Sequence, residues 1–151
     1  MKIIVTSDIH RKKQIIDHIL TNYEADYYYD CGDSQLNNYE LKDFYSVRGN
    51  CDYESYPDYR IVTINENNKI FLTHGHLYSM NELIKICELK NCNILIHGHT
   101  HKKRNEMINN IHVLNPGSIS RPRAIGSNTF LIIDYDEQKD KISFEFVKLS
   151  L

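Results

Sequence analysis

The sequence predicts an α/β protein in which two mixed β-sheets pack together and helices cover them outside, a four-layer αββα arrangement. Short β-rich runs alternate with amphipathic helical patterns through the first two thirds of the chain. The last third carries strand after strand joined by turn-forming residues, which adds antiparallel pairs. At 151 residues with 41% apolar content, the chain suffices for one core and is too apolar for disorder.

The opening run Lys2–Thr6 is Lys-Ile-Ile-Val-Thr, a buried strand by composition. From Lys12 to Tyr23 the spacing changes to helical, with Ile15, Ile16, Ile19 and Leu20 on one face. Strand-like runs follow at Asp26–Tyr29, Tyr45–Val47, Tyr59–Ile64 and Lys69–Thr73; the tyrosines Tyr27, Tyr28 and Tyr29 suit a half-buried strand better than a base-stacking platform. A second helix spans Met80–Leu89, presenting Leu83, Ile84, Ile86 and Cys87. Further strands are expected at Asn93–Ile96, Ile111–Leu114, Thr129–Tyr135 and Lys141–Lys148, the last two joined as a hairpin. With no internal repeat, three prolines and six glycines, no linker interrupts residues 1–151, so one domain is expected.

A formal net charge of -2, with basic residues clustered only at Arg11-Lys12-Lys13 and Lys102-Lys103-Arg104, argues against an extended nucleic-acid surface. The N-terminal apolar run is too short for a signal-peptide core or a membrane span, which predicts no membrane association and a cytoplasmic location. Cys31, Cys51, Cys87 and Cys92 form no CxxC pair and are read as reduced thiols.

Five strand-like runs end in polar clusters: IIVTSDIH, YYYDCGD, YSVRGNCD, KIFLTHGH and NILIHGHTH. Ligands of open α/β sheets gather beyond the carboxyl ends of the strands. Side by side, these tips would bring Asp8, His10, Asp33, Asn50, His74, His99 and His101 into one crevice. Oxygen and imidazole donors without thiolate suit Mn, Fe, Zn or Ni better than a structural zinc site. Seven are too many for one open ion but fit two that share a carboxylate. Two ions about 3.5–4 Å apart bridge a water, lower its pKa from 15.7 toward about 7 and clamp phosphoryl oxygens. Phosphoester hydrolysis is the chemistry this predicts.

The ordered motifs Ser7-Asp8-Ile9-His10, Gly32-Asp33, Gly49-Asn50-Cys51-Asp52, Thr73-His74-Gly75-His76, Gly98-His99-Thr100-His101 and Asn115-Pro116-Gly117-Ser118 resemble the calcineurin-like metallophosphoesterases. More narrowly, they resemble the small bacterial and archaeal phosphodiesterase branch, which the retromer subunit of the same fold shares. The resemblance implies one metallophosphoesterase domain over residues 1–151, with the metallo-dependent phosphatase fold. It implies two divalent metal ions, manganese first and Ni, Zn, Fe or Mg as alternatives. Asp8, His10, Asp33 and His101 would hold one ion; Asp33, Asn50, His74 and His99 would hold the other. A metal-bridging hydroxide would then attack a small phosphodiester or nucleotide-like substrate. Relatives are often homo-oligomers, although the sequence carries no interface signature.

The expected catalytic residues are Asn50, Cys51, Asp52 and His76. Larger relatives carry His where Cys51 stands, and a thiol near pKa 8.5 is a poorer proton donor than an imidazole near 6.5, values typical of the free side chains, about. A preference for phosphodiesters, or for substrates with stabilised leaving groups, follows. Asp52 is expected to orient a ligand histidine or Cys51, and His76 to touch the phosphate. Arg11, Arg121 and Arg123 are candidate phosphate contacts. Two other readings stand beside the diesterase: a non-catalytic binding module on the same fold, as in the retromer subunit, and a phosphomonoesterase or nucleotidase. His18 and His112 suit surface positions, and His97 either supports the centre or packs at a strand end.

Overall fold

In the computed structural model, which describes residues 1–151, the elements run β1 (Lys2–Thr6), α1 (Lys13–Asn22), β2 (Tyr27–Asp30), α2 (Asn38–Leu41), β3 (Phe44–Ser46), β4 (Tyr59–Thr63), β5 (Lys69–Thr73), α3 (Met80–Leu89), β6 (Ile94–Ile96), β7 (Arg104–Ile108), β8 (Ile111–Asn115), β9 (Thr129–Asp136) and β10 (Lys141–Lys148). They form two five-stranded sheets, ordered β10-β9-β1-β2-β3 and β4-β5-β6-β8-β7. In the first sheet β1, β2 and β3 are parallel and β9 and β10 antiparallel. In the second, β5, β6 and β8 are parallel and the edge strands β4 and β7 antiparallel. The four-layer α/β arrangement expected from the sequence is the one found.

Alternation along each strand assigns the layers. Ile3 and Val5 of β1 turn toward the second sheet and pack with Ile70, Leu72, Ile94, Ile96 and Leu131 between the sheets. Ile4, between them in sequence, faces outward against Ile15, Ile16 and Ile19 of α1. On the other side Phe71, Leu95 and Val113 meet Leu83, Ile84 and Cys87 of α3. Strands buried on both faces read as continuous apolar runs, which is why β1, β5 and β6 were visible in sequence. Each isoleucine that α1 buries contributes about 1.5–3 kcal/mol. That matters because α1 has no side-chain cap, whereas Ser79 and Glu82 form a capping box at the start of α3.

Two elements lie outside the sequence expectation. The one-turn helix α2 is too short to show a period, yet Asn37 and Glu40 form a full capping box that starts it. Strand β7 is an edge strand whose central residues are exposed, so it shows no apolar alternation. It pairs with β8 through Asn109-Asn110, both left-handed (φ 49° and 65°), as the two central residues of a tight hairpin require. No helix is long and apolar enough to cross a membrane.

The three parallel strands of the first sheet are tied together at their carboxyl ends by Asp30. Its carboxyl is fully buried and accepts from Thr6 Oγ1 at 2.8 Å, Gly32 N at 3.0 Å and Ser46 Oγ at 3.2 Å. Burial pushes this carboxyl up to about 8 against the bonds from Thr6 and Gly32, and the carboxylates of Asp52 and Asp8 add to the rise. The folded protein therefore keeps a proton here that the unfolded chain has lost by about pH 4, and stability falls as pH rises from about 4 to about 8. Asparagine can donate to Thr6 while accepting from Gly32 and Ser46. Asp30→Asn is expected to gain stability over the parent progressively across that range, by at most about 1.4 kcal/mol per pH unit. Urea unfolding of metal-free protein at pH 5 and pH 8 measures this; an advantage that does not grow would show Asp30 to be ionised throughout.

Candidate metal centre

All seven expected ligands stand just beyond the carboxyl ends of parallel strands: Asp8 and His10 after β1, Asp33 after β2, Asn50 after β3, His74 after β5, and His99 and His101 after β6. Turning side chains back over the strand tips takes an unusual backbone. Asp8, His10, Asp33, His99 and His101 are all left-handed, with φ between 48° and 72°, a conformation that non-glycine residues adopt mostly where tertiary structure forces it. Two glycines allow the tips to close up. A Cβ at Gly49 would lie 2.1 Å from Asp33 Oδ1, and one at Gly98 would lie 2.0 Å from Ser7 Oγ.

The histidines are oriented by what their outer nitrogens hold. Nδ1 of His74 donates to the Cys31 carbonyl at 2.8 Å, and Nδ1 of His101 donates to the Arg121 carbonyl at 2.8 Å. Nδ1 of His10 donates to Gln35 Oε1 at 2.9 Å. In the neutral rings every Nε2 is then a lone pair turned inward. Nε2 of His10 and Nε2 of His101 lie 3.3 Å apart, with Asp8 Oδ1 at 3.8 and 3.2 Å from them. Nε2 of His74 is 3.0 Å from Asn50 Oδ1, 3.2 Å from Asp33 Oδ2 and 3.9 Å from Asp8 Oδ1; His99 Nδ1 meets the same Asn50 oxygen at 3.1 Å. Two clusters of acceptors thus face one another with no donor between them.

Such an arrangement is repulsive unless positive charge sits inside it. Asp8 Oδ1 is fully buried and has no hydrogen-bond partner, while its other oxygen accepts from Ser7 Oγ at 2.6 Å and from the His99 amide at 3.1 Å. Asp8, His10 and His101 form one group with metal-ligand spacing; Asp8, Asp33 and His74 form a second. Asp8 is common to both, whereas the family resemblance assigned the shared place to Asp33. The electrostatics favour a cation in each. Burial raises the Asp33 carboxyl, but a cation at His74 Nε2, in the simplest case a proton that gives the ring charge and a hydrogen bond to Asp33, outweighs it and holds Asp33 down at about 2. Burial opposes charge on His74, yet Asp33 and Asp8 raise its pKa; at His101 the bond that a protonated Nε2 would make to Asp8 raises it. A field that favours a proton there favours a metal cation more. The donor set therefore fits divalent metal.

The remaining candidates fall into different places. Asp52 touches neither a ligand histidine nor Cys51 through its carboxylate. It instead accepts from three backbone amides, Asp33 at 2.9 Å, Gln35 at 2.9 Å and Gly49 at 2.7 Å, clamping the loops after β2 and β3 together. Cys51 is half-buried; its amide donates to Asp33 Oδ1 at 2.8 Å, and burial and then Asp33 raise its thiol pKa. His76 lies 5.3 Å ring to ring from His74, half-buried, with a buried Nδ1 that has no partner. Burial, then His74 and His99, lower its pKa, so it stands neutral. His97 is buried, held down at about 4 first by that burial, with Nδ1 donating to the Gly98 carbonyl and Nε2 near Arg104.

Sequence reasoning missed the supports. Gln35 fixes His10, and Ser118 and Ser120 both donate to the Asp8 carbonyl, at 2.8 and 2.9 Å. Asn115 donates to the Gly98 carbonyl and Thr100 Oγ1 and accepts from Gly117 N, so the Asn-Pro-Gly-Ser turn braces the loop after β6. Nothing in residue type singles out Gln35; only its position two after Asp33 is informative.

Comparison with known proteins gives the family. Residues 1–138 match the calcineurin-like phosphoesterase superfamily domain. The chain is 28% identical, over 95% of its length and 90% of the relative's, to the probable metallophosphoesterase YsnB of Bacillus subtilis. It is 33% identical to the phosphodiesterase YfcE of Escherichia coli over 101 residues, which is 60% of this chain and 52% of that protein. A solved structure from Streptococcus pneumoniae, described as a conserved uncharacterized protein and predicted phosphoesterase, superposes with a TM-score of 0.84 at 28% identity, covering 97% of this chain and 88% of that one. With its motifs, fold and acceptor clusters in agreement, the chain belongs to the calcineurin-like phosphoesterase superfamily.

Proposed function

We propose that the protein hydrolyses phosphodiesters with two divalent cations held among Asp8, His10, Asp33, Asn50, His74, His99 and His101, manganese being the first choice by donor type. One observation carries this reading: three inward histidine lone pairs converge on the unpartnered, buried Asp8 Oδ1. His10, His101 and Asp8 would hold one cation, and His74, His99 and Asn50 the other. Asp33, which stays ionised beside His74, would complete the centre between them. When bound, the cations supply Lewis acidity to the phosphoryl oxygens and a more acidic water. The chain's own residues do the rest. His99 and Asn50 are exposed and leave that flank open to substrate. Neutral His76 offers one N–H to a phosphoryl oxygen.

Two features favour diesters over monoesters. The raised thiol of Cys51 is a weak proton donor for a poor leaving group. The E. coli relative is a named phosphodiesterase. The binding-module reading has less support, because every ligand position is filled. A small phosphodiester or nucleotide-like substrate is therefore the proposed partner.

Asp33→Ala is expected to lower kcat by at least about a thousandfold, on the order of 4 kcal/mol of barrier, and to reduce bound metal. Elemental analysis should find two ions per chain in the manganese-loaded parent and one or none in the variant. Retained turnover with an unchanged metal count would refute the assignment. Cys51→His is expected to raise the ratio of p-nitrophenyl phosphate to bis(p-nitrophenyl) phosphate hydrolysis by at least about tenfold. An unchanged ratio removes Cys51 from the specificity argument.

A further inference from the structure

Three arginines lie on the segments that carry His10 or hold His101, and the proposed reaction assigns them no role. Arg11 directly follows His10; its backbone is left-handed (φ 70°) and its amide donates to the Ser34 carbonyl at 2.7 Å. Arg121 and Arg123 straddle Pro122 in a loop pinned to the centre by main-chain atoms. The Arg121 carbonyl accepts from His101 Nδ1, the Arg121 amide donates to Ser118 Oγ at 3.0 Å, and the Arg123 amide donates to the His101 carbonyl at 3.0 Å. Their side chains are exposed, and none of the three has a carboxylate within ion-pair distance. Arg123 is near enough for its charge to oppose charge on His101. In a chain of net charge -2, three exposed arginines without an ion-pair partner on the two segments around His10 and His101 are a local excess of positive charge.

A scissile phosphodiester carries one negative charge, which two divalent cations more than meet. Guanidinium groups next to such a centre are best matched by a further anion, and their planar N–H forks fit phosphate oxygens pairwise. A terminal phosphate, with a charge of about -1.5 to -2, matches several guanidiniums better than a carboxylate does. We propose that Arg11, Arg121 and Arg123 form the seat for a second phosphate of the substrate, a phosphomonoester lying outside the scissile diester on the flank of His10 and His101. The substrate class is then a small phosphodiester bearing a terminal phosphate. This rests on the diesterase reading above. The anchoring bonds of Arg121 and Arg123 use only main-chain atoms, so alanine at both positions removes the seat without releasing the loop.

The test compares two chromogenic diesters on manganese-loaded protein: thymidine 5′-(p-nitrophenyl phosphate), with and without a 3′-phosphate. In the parent the 3′-phosphate is expected to lower KM at least about tenfold, a difference of about 1.4 kcal/mol. In Arg121→Ala/Arg123→Ala the ratio of the two KM values should fall to about one, and lysine at both positions should restore part of it. A parent ratio near one overturns the proposal, as does a ratio that survives the double substitution. Equal losses on both substrates leave that ratio standing and would place the arginines on the scissile group. If neither diester is hydrolysed, the diesterase reading fails while the seat is still decided by calorimetry. Thymidine 3′,5′-bisphosphate should then bind the parent at least about tenfold more tightly than thymidine 5′-phosphate, and the double variant should lose that advantage. Equal binding of the two nucleotides to the parent overturns the seat by itself.

Discussion

A carboxylate oxygen that is buried without a hydrogen-bond donor is tolerable only if positive charge is brought to it, and Asp8 Oδ1 is met solely by imidazole nitrogens. Those nitrogens are lone pairs, because a carbonyl or amide oxygen takes the opposite N–H of His10, His74 and His101. The protein thus spends fold energy to hold acceptors against acceptors. Only a cation turns that repulsion into attraction, and the surrounding architecture serves to keep the acceptors from relaxing apart. Five left-handed backbones among the candidate ligand residues express the same constraint as local strain.

Neighbouring carboxyl groups respond to the same field in different ways. Asp30, one layer deeper, has hydroxyl and amide donors but no cation, and burial keeps its proton on near neutral pH. Asp33 has His74 beside it and remains ionised. Asp52 spends its carboxylate on three backbone amides and so fixes where Asp33 begins. Two neighbouring strand ends therefore hold a neutral tie, a charged ligand candidate and a structural clamp, although all are aspartates. Burial and partner separate these roles, not residue type.

That separation explains what was legible in the sequence. Continuous apolar runs in strands buried on both faces gave the layers, and the Asp, Asn and His clusters after them gave the seven residues now found together. Edge strand β7 was illegible because nothing covers its central side chains, and α2 because one helical turn has no period. The role of Asp52 was misplaced for a related reason. Proximity to Cys51 in sequence suggested a side-chain partner, whereas its partners are main-chain amides up to 19 residues away. Amides are the same in every residue, so no motif can announce them. Gln35 and the two serines that hold Asp8 were hidden likewise, since their partners are set by the crossing of distant loops.

The division of labour between side chain and main chain also bears on how such a centre could vary. The loop after β8 braces Asp8 through serine hydroxyls and orients His101 through the Arg121 carbonyl, so the arginine side chains are free of the structural task. At Cys51 too the amide, which every residue has, donates to Asp33. At both places the backbone secures the candidate ligands, so the side chain can change with little disturbance to them. A fixed frame of candidate ligands can then carry variable side chains, because the main-chain bonds that hold Asp33 and His101 do not depend on the side chains of Cys51, Arg121 and Arg123.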